Sequence, residues 1–164
     1  MKYNILKKLG FLVLSFALVT TFASCERTES VPDASDIKIE DITGGWIVDV
    51  TRNGVSNGTI HISTYNTSAN ETTAMWLDDE EHSWGLKTKV NLNFDALTFS
   101  STDSAELYYD VTVTVSDGII TKNGATAPSG ATVDAISFSV VFSDIPNDVW
   151  EYTGYKATGM IGDN

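Results

Sequence analysis

An alternation of apolar and polar residues with period two runs through most of the sequence, and it restricts the fold to one built from β-strands. It is clear at Trp46, Val48 and Val50, and again along 109–115 and 136–142. Such alternation is typical of strands with one buried face. Turn-forming pairs interrupt it at roughly ten-residue intervals. Because no amphipathic helical pattern separates these segments, the sequence predicts an all-β domain.

The pattern predicts about eight or nine strands. The predicted strands are 46–51, 60–65, 72–79, 86–92, 97–100, 109–115, 119–126, 136–142 and 149–156. Asn53-Gly54 and Asp117-Gly118 are predicted to be turns between strands. Short connections favour antiparallel neighbours, and about eight such strands can close into an up-and-down barrel with room for one small ligand. An open two-sheet sandwich would produce the same alternation, so periodicity leaves both architectures open.

The N-terminus has the pattern of an export signal. Residues 1–8 contain three lysines, and residues 9–23 are almost entirely apolar. A basic start and a short apolar core are typical of a secretory signal, and about 15 apolar residues are fewer than the roughly 20 that a membrane-spanning helix needs. The segment ends in Phe22-Ala23-Ser24-Cys25, which resembles a bacterial lipobox. The resemblance implies a signal peptide of residues 1–24 and a diacylglycerol group on Cys25; the alternative is an ordinary signal peptide with a chance cysteine.

Cys25 is the only cysteine of the chain, so an intramolecular disulfide is impossible. Acylation would occupy its sulfur and anchor the protein in a membrane. Residues 25–43 are polar and acidic, and we interpret them as the lipidated cysteine and a tether, with a short helix around 35–41. Residues 44–164 form the predicted barrel domain. The predicted location is the outer membrane, facing either the periplasm or the cell exterior.

The chain is strongly acidic, with a net charge of −12. Removal of Lys2, Lys7 and Lys8 with the signal would make the mature chain still more acidic. This charge argues against a nucleic-acid partner and against docking on anionic lipid headgroups, because both would be repelled.

Five short segments of the predicted barrel carry a family resemblance. They are Tyr65–Asn70, Met75–Asp79, Trp84–Lys87, Phe142–Pro146 and Gly154–Gly159. Together they resemble the lipocalin-like, calycin-type lipoproteins of Bacteroidetes, a family catalogued as lipid-binding putative hydrolases. The resemblance spans roughly residues 44–160 and implies a lipocalin-like barrel.

Gly44-Gly45-Trp46 resembles the Gly-x-Trp signature of lipocalin-like barrels. In that superfamily the tryptophan closes one end of the barrel, and a Lys or Arg of the last strand lies across its ring. Lys156 is the residue placed for this role. Such a cation–π contact contributes about 0.5–2 kcal/mol, and the lysine stem adds packing.

The word hydrolase finds little support in the residues. The sequence has no Gly-x-Ser-x-Gly turn to expose a nucleophilic serine. The two histidines are His61, within a predicted strand, and His82, within an acidic loop, and neither has a local partner pattern. A carboxylate pair acting on sugars stays open, because such pairs are spatial. The acidic run 78–82 lacks the ligand spacing of calcium and zinc sites, so we expect a solvated loop there, and no metal or cofactor.

Aromatic residues are the better candidates for a site. Trp76 and Trp84 bracket the acidic loop and are expected near one mouth of the barrel. With Tyr109, Phe138 and Tyr152 they form the predicted ligand-binding set. The leading hypothesis is non-catalytic binding of a small hydrophobic or amphipathic ligand, such as a lipid or fatty acid. One alternative is an accessory or inhibitory module with a filled barrel that contacts a protein or glycan; another is a lipid-ester hydrolase that uses His61 or His82.

Overall fold

Residues 36–163, which the computed structural model describes, form eight antiparallel strands that close into a barrel. The strands are β1 (Gly44–Arg52), β2 (Val55–Asn66), β3 (Ala74–Asp78), β4 (Lys87–Asn93), β5 (Thr98–Ala105), β6 (Thr112–Thr126), β7 (Thr132–Phe142) and β8 (Trp150–Lys156). Each strand pairs with the next, and β8 pairs back onto β1, with Trp46 opposite Lys156 and Arg52 opposite Trp150. The predicted up-and-down barrel is therefore confirmed, and the open sandwich is wrong. The predicted signal peptide, Cys25 and the tether as far as residue 35 lie outside the described residues.

The sequence prediction is wrong at Asp117-Gly118, which does not form a turn between two strands. β6 runs through this pair, and its register with β7 shifts between Ser116 and Ile119. Gly118 lies opposite Phe99, and a Cβ at Gly118 would clash with the carbonyl oxygen and ring of Phe99. Glycine is needed here because two pieces of backbone and a ring approach closely at a bulge.

The predicted strand that begins at Tyr109 also begins too early. β6 starts at Thr112, and Tyr109 lies in the loop between β5 and β6. The apolar alternation continues back to Tyr109 even though residues 109–111 are not part of a strand. These positions are apolar because Tyr109 and Val111 line a surface pocket.

Side chains of alternating residues fill the barrel interior. Three aromatic rings cross it in one row, with centroids 5.7 Å apart for Phe99 and Phe138 and 4.6 Å apart for Phe138 and Tyr152. Aromatic pairs of this kind contribute about 0.5–1.5 kcal/mol beyond the burial of their area. The row joins β5, β7 and β8 across the barrel interior, and it therefore contributes to the packing of the core.

A short 3-10 helix, Glu40–Ile42, closes the end of the barrel at which β1 begins. Ile39 and Ile42 are fully buried in the core. Trp46 Nε1 donates to Thr64 Oγ1 at 2.9 Å, and the same hydroxyl donates to the Ile42 carbonyl oxygen at 2.8 Å. This relay ties the helix to the first two strands, and we call this closed side the plugged end.

Lys156 lies where the Gly-x-Trp resemblance places it. Its Nζ is 6.0 Å from the ring centroid of Trp46 and donates to the Asp41 carbonyl oxygen at 3.2 Å. Lys122 Nζ donates to the same carbonyl oxygen at 2.7 Å. The C-terminal side of the 3-10 helix thus receives two ammonium groups, a favourable arrangement for exposed carbonyl dipoles. Within residues 36–163 no helix has the length and apolar character that crossing a bilayer requires.

Candidate ligand site at the loop end of the barrel

Four connections meet at the end of the barrel opposite the plug, which we call the loop end. They are residues 53–54, 79–86, 106–111 and 143–149. Large apolar side chains are exposed on or beside every one of them: Val55, Trp84, Leu107, Tyr109 and Val149. Exposed apolar residues gathered in one region commonly mark a ligand or partner site. The loop end is therefore a candidate for a ligand or partner site.

A pocket of about 300 Å³ opens at the loop end. It is lined by Trp84, Tyr109, Val111 and Asp144, with Trp84 41% exposed and Tyr109 50% exposed. Two half-exposed aromatic rings and one aliphatic side chain make the wall mainly apolar, with one carboxylate on the rim. This composition suits a small apolar or amphipathic ligand.

Gly85 allows one wall of the pocket to form. Its φ is +91°, in the left-handed region, and a Cβ at this position would lie 2.5 Å from Cε2 of Tyr109. The Tyr109 ring therefore packs directly across the backbone next to Trp84. A side chain at this position would displace the ring and strain the backbone.

Glu106 holds the loop that carries Tyr109. This carboxylate is buried and accepts hydrogen bonds from the backbone N–H groups of Lys87 and Tyr109. The Leu107 N–H donates to the Lys87 carbonyl oxygen at 2.9 Å. The 106–111 loop is thus bound to the start of β4, and this positions Tyr109 and Val111 at the pocket.

Asp78 makes a second connection between the same loop and the strands, on the outer face of the barrel. It accepts hydrogen bonds from Lys87 Nζ at 2.7 Å, Tyr108 OH at 2.7 Å and Tyr65 OH at 2.8 Å. Burial alone would raise the pKa of Asp78, but the hydrogen bonds from Lys87 and Tyr108 outweigh it and lower the pKa to about 2. Asp78 is therefore an ionised structural group at neutral pH.

Asp79 has the opposite environment although it is the next residue. It is fully buried, and it accepts hydrogen bonds from the N–H groups of Leu86 at 2.7 Å and Glu81 at 3.0 Å. Burial raises the pKa of Asp79 despite these bonds. By bonding to both sides of the 79–86 loop, Asp79 sets its shape and so the position of Trp84.

Trp84 lies over the barrel interior and contacts Trp150, with ring centroids 5.7 Å apart. The guanidinium carbon of Arg52 is 5.7 Å from the Trp84 centroid and 5.2 Å from that of Trp150. Arg52 is itself paired with Asp148, which also accepts from Asn53 Nδ2 at 2.7 Å. Cation–π contacts and an ion pair thus join the 53–54, 79–86 and 143–149 connections around one half-exposed tryptophan.

The structure brings together two of the predicted ligand-binding residues, Trp84 and Tyr109. Trp76 lies elsewhere, on the outer face of β3, with its ring centroid 6.5 Å from that of Tyr65. Phe138 and Tyr152 point into the barrel core and are buried.

Sequence reasoning missed Val111 and Asp144 as lining residues. The apolar alternation assigns Val111 to a strand rather than to a loop. Asp144 lies in one of the segments that carry the family resemblance, but nothing in its local pattern indicates a pocket.

The histidines lie together outside the barrel, and neither of them lines the pocket. His82 Nδ1 is 3.0 Å from the His61 carbonyl oxygen, and His61 Nδ1 is 3.7 Å from Glu80 Oε1. Ser63 Oγ donates to that same Glu80 oxygen. The serine hydrogen bond is therefore made to a carboxylate and not to a histidine, which differs from the pairing of a serine nucleophile with its base.

Within the described range, no group of three or more His, Cys, Asp or Glu side chains is arranged to hold a metal ion. The carboxylates of the acidic run are used instead for local contacts. Asp78 and Glu80 accept from side chains, and Asp79 accepts from backbone N–H groups.

Comparison with known proteins agrees with this architecture. No curated protein matches the sequence. Residues 31–161 match the model of a family described as "Lipid-binding putative hydrolase", and this range covers most of the 164 residues. The lipocalin-like resemblance is consistent with the closed eight-stranded barrel. The chain therefore belongs to the lipid-binding putative hydrolase family.

Proposed function

We propose that this protein binds a small apolar or amphipathic ligand, without catalysis, in the pocket at the loop end of its barrel. The observation that carries the proposal is the pocket itself, in which Trp84 and Tyr109 remain half exposed around a space of about 300 Å³. At the plugged end the mouth of the barrel is closed instead, because Ile39, Ile42 and Trp46 fill it and are fully buried. The family description supports a lipid as the class of ligand.

The size of the pocket restricts the ligand. One water molecule occupies about 30 Å³ in the liquid, so a pocket of 300 Å³ holds about ten non-hydrogen atoms. One short acyl chain, or the end of a longer chain, fits this space, whereas a whole phospholipid does not. Eight buried methylenes would contribute roughly 6 kcal/mol before the cost of immobilising the ligand. We therefore expect micromolar or weaker affinity.

A binding experiment on the mature chain, with Cys25→Ser to avoid acylation, tests this function. Octanol and octanoate are titrated while the intrinsic tryptophan fluorescence is recorded. We expect Trp84→Ala to weaken binding at least tenfold, because it removes one wall of the pocket. Trp76→Ala is the matched control, because its ring lies on the outer face of β3, and it should leave the affinity unchanged. Equal losses for both variants would contradict the pocket.

The absence of catalysis is also part of the proposal. It is supported by the hydrogen bond of Ser63 to Glu80 rather than to His61. Turnover of a short-chain nitrophenyl ester is measured for the wild type, His61→Ala and His82→Ala. We expect all three to match the uncatalysed rate. Turnover that disappears in either variant would establish a histidine-dependent hydrolase instead.

We also propose that Cys25 anchors the protein, with the outer membrane as its location. The support is the Phe22–Cys25 pattern and the resemblance to Bacteroidetes lipoproteins. The mass of the protein extracted from membranes should exceed that of residues 25–164 by an acylated glycerol group. Cys25→Ser should release the chain from the membrane fraction. An unmodified Cys25 in membrane-extracted protein would overturn the anchor.

A second function is favoured by a different observation, the filling of the barrel by its own side chains. A filled barrel could present Val55, Leu107 and Val149 to a protein or glycan instead of enclosing a ligand. Mass spectrometry of the same chain under native and denaturing conditions separates the two functions. A native mass larger by one amphiphile supports the first, and equal masses together with no binding of octanol or octanoate support the second.

A further inference from the structure

We propose that the ligand carries an uncharged hydrogen-bond acceptor, such as a hydroxyl or an ester carbonyl, and that Trp150 Nε1 and Tyr152 OH bind this group beneath Trp84. This inference rests on the proposed function and specifies the chemical class of its ligand. It distinguishes a neutral amphiphile from a fatty-acid anion with the same alkyl chain.

Several buried polar side-chain atoms have no hydrogen-bond partner of good geometry. Residues 36–163 contain five such side-chain atoms, and four of them belong to Ser83, Ser101, Trp150 and Tyr152. Ser83 and Tyr152 are close enough to interact weakly with each other, but their contact lacks the geometry of a full hydrogen bond. All four groups can donate a hydrogen bond, and the indole N–H can do nothing else. Leaving buried donors unpaired costs free energy, and a ligand that accepts from them would recover it.

The barrel brings these four groups to one region. Across β5 to β8, Ser101 pairs with Val115, Val115 pairs with Val140, and Val140 pairs with Trp150. Ser101 and Trp150 therefore lie at the same level along the barrel axis. Tyr152 is the next inward residue on β8. Ser83 belongs to the 79–86 loop that covers this level.

Ser83, Asp79 and Tyr152 are close enough to influence one another. Burial raises the pKa of the Tyr152 phenol, the Asp79 carboxylate raises it further, and Ser83 opposes the shift. The phenol is therefore protonated at neutral pH and available as a donor. The fifth unpaired atom, Thr67 Oγ1, is in the 67–73 loop on the opposite side of the barrel.

The charges around the pocket disfavour an anionic ligand. Asp144 is the only charged residue among the four that line the pocket. Asp79 lies next to Tyr152, and the guanidinium of Arg52 is already paired with Asp148. A carboxylate headgroup would meet acidic groups at the rim and inside, whereas a hydroxyl or ester meets no such repulsion.

Trp84 separates the pocket from these donors. Its ring lines the pocket and also contacts Trp150. Trp150 and Tyr152 do not line the pocket itself. In the proposed complex the Trp84 ring turns aside, the polar group of the ligand meets Trp150 Nε1 and Tyr152 OH, and the alkyl chain lies between Tyr109 and Val111.

Octanol, monooctanoylglycerol and octanoate all carry a chain of eight carbon atoms and differ in the headgroup, so they test the headgroup directly. Their affinities are measured at pH 7.5 by calorimetry on the mature chain with Cys25→Ser. We expect the two neutral compounds to bind at least tenfold more tightly than octanoate. Asp144→Asn should narrow this gap by strengthening octanoate binding and leaving octanol unchanged. Octanoate that binds as tightly as octanol would overturn the inference while leaving the proposed function intact.

Tyr152→Phe tests the donor, because it removes one hydroxyl and keeps the ring that stacks on Phe138. We expect at least a tenfold loss of octanol affinity together with a higher Tm of the unliganded protein. Tyr155→Phe is the matched control on the same strand, since its hydroxyl donates to the Asp163 carbonyl oxygen at 3.0 Å. It should lower the Tm and leave the affinity unchanged.

Unchanged octanol affinity in a folded Tyr152→Phe protein would overturn the donor assignment. If none of the three compounds binds to the wild type, the proposed function fails together with this inference. The wild-type titrations therefore decide between the two failures before any variant is made.

Discussion

Lys87 Nζ lies 2.7 Å from the Asp78 carboxylate in an ion pair on the outside of the barrel, yet Asp78 is only 4% exposed. Two tyrosines flank the pair, and the Lys87 ammonium is 5.7 Å from the ring centroid of Tyr65 and 5.6 Å from that of Tyr108. The pair therefore joins β3 and β4 to the loop that carries Tyr109. Its loss should affect both the stability of the barrel and the shape of the pocket.

Stability in acid should depend on Asp78. Its pKa is lowered from 3.8 to about 2, so its ionised form favours the folded state. This contribution, about 2 kcal/mol, is complete above pH 4 and is lost as the pH falls towards 2. We expect Asp78→Asn to lower the free energy of unfolding at pH 6 and to differ less from wild type at pH 2. Urea unfolding at several pH values measures this.

Asp95→Asn is the control for Asp78, because Asp95 is exposed in the turn between β4 and β5. It should follow the wild type at every pH. The raised pKa of Asp79 acts in the opposite direction, since its protonation favours the folded state. A difference between Asp78→Asn and wild type that stays constant from pH 6 to pH 2 would contradict the assignment to Asp78.

Gly85→Ala should damage the pocket specifically. Ala would be strained at a φ of +91°, and its Cβ would displace the Tyr109 ring. Gly130→Ala is a matched comparison, because Gly130 has a φ of +89° and a Cβ added there would meet no atom within 4 Å. Strain alone costs about 1 kcal/mol. We expect both variants to lose this stability in thermal unfolding and only Gly85→Ala to lose octanol binding.

Thr64→Val should loosen the plugged end. The hydroxyl of Thr64 accepts from Trp46 Nε1 and donates to the Ile42 carbonyl oxygen. Valine would leave both groups buried and unpaired, at a cost of about 2 kcal/mol or more. Chemical denaturation should show this loss, and Thr121→Val, at an exposed position of β6, should change stability by less than about 0.5 kcal/mol. Equal stability of the two variants would contradict the relay.

Lys156→Met should weaken the contact of the last strand with Trp46 and with the 3-10 helix. Methionine keeps part of the aliphatic stem and removes the ammonium, so the expected loss is about 1 kcal/mol. Lys89→Met, on an exposed position of β4, is the control. On heating, the tryptophan fluorescence emission of Lys156→Met should shift at temperatures at which Lys89→Met remains native.

Some of the site follows from local pattern alone. Alternation along β1 and β8 places Trp46, Tyr152 and Lys156 on one face, and the structure has all three on the inner side of the sheet. This alternation does not decide whether Trp76 points inward or outward, because apolar residues occupy both alternating faces of β3. Trp76 and its neighbours Met75 and Leu77 look alike in sequence, and only pairing with β2 places Met75 and Leu77 inside.

The sequence by itself determined the all-β class and the inner and outer faces of most strands, because both depend on a period of two within short segments. The contact of Lys156 with Trp46 joins residues far apart in the chain, and it was expected only from the family resemblance. Only the tertiary structure decided that β6 continues through Gly118, that Asp78 and Asp79 have opposite pKa shifts, and that Trp84 and Tyr109 share a pocket with Val111 and Asp144. These features depend on which loops meet when β8 closes onto β1. That closure is set by strand register summed around the barrel, which no local pattern contains.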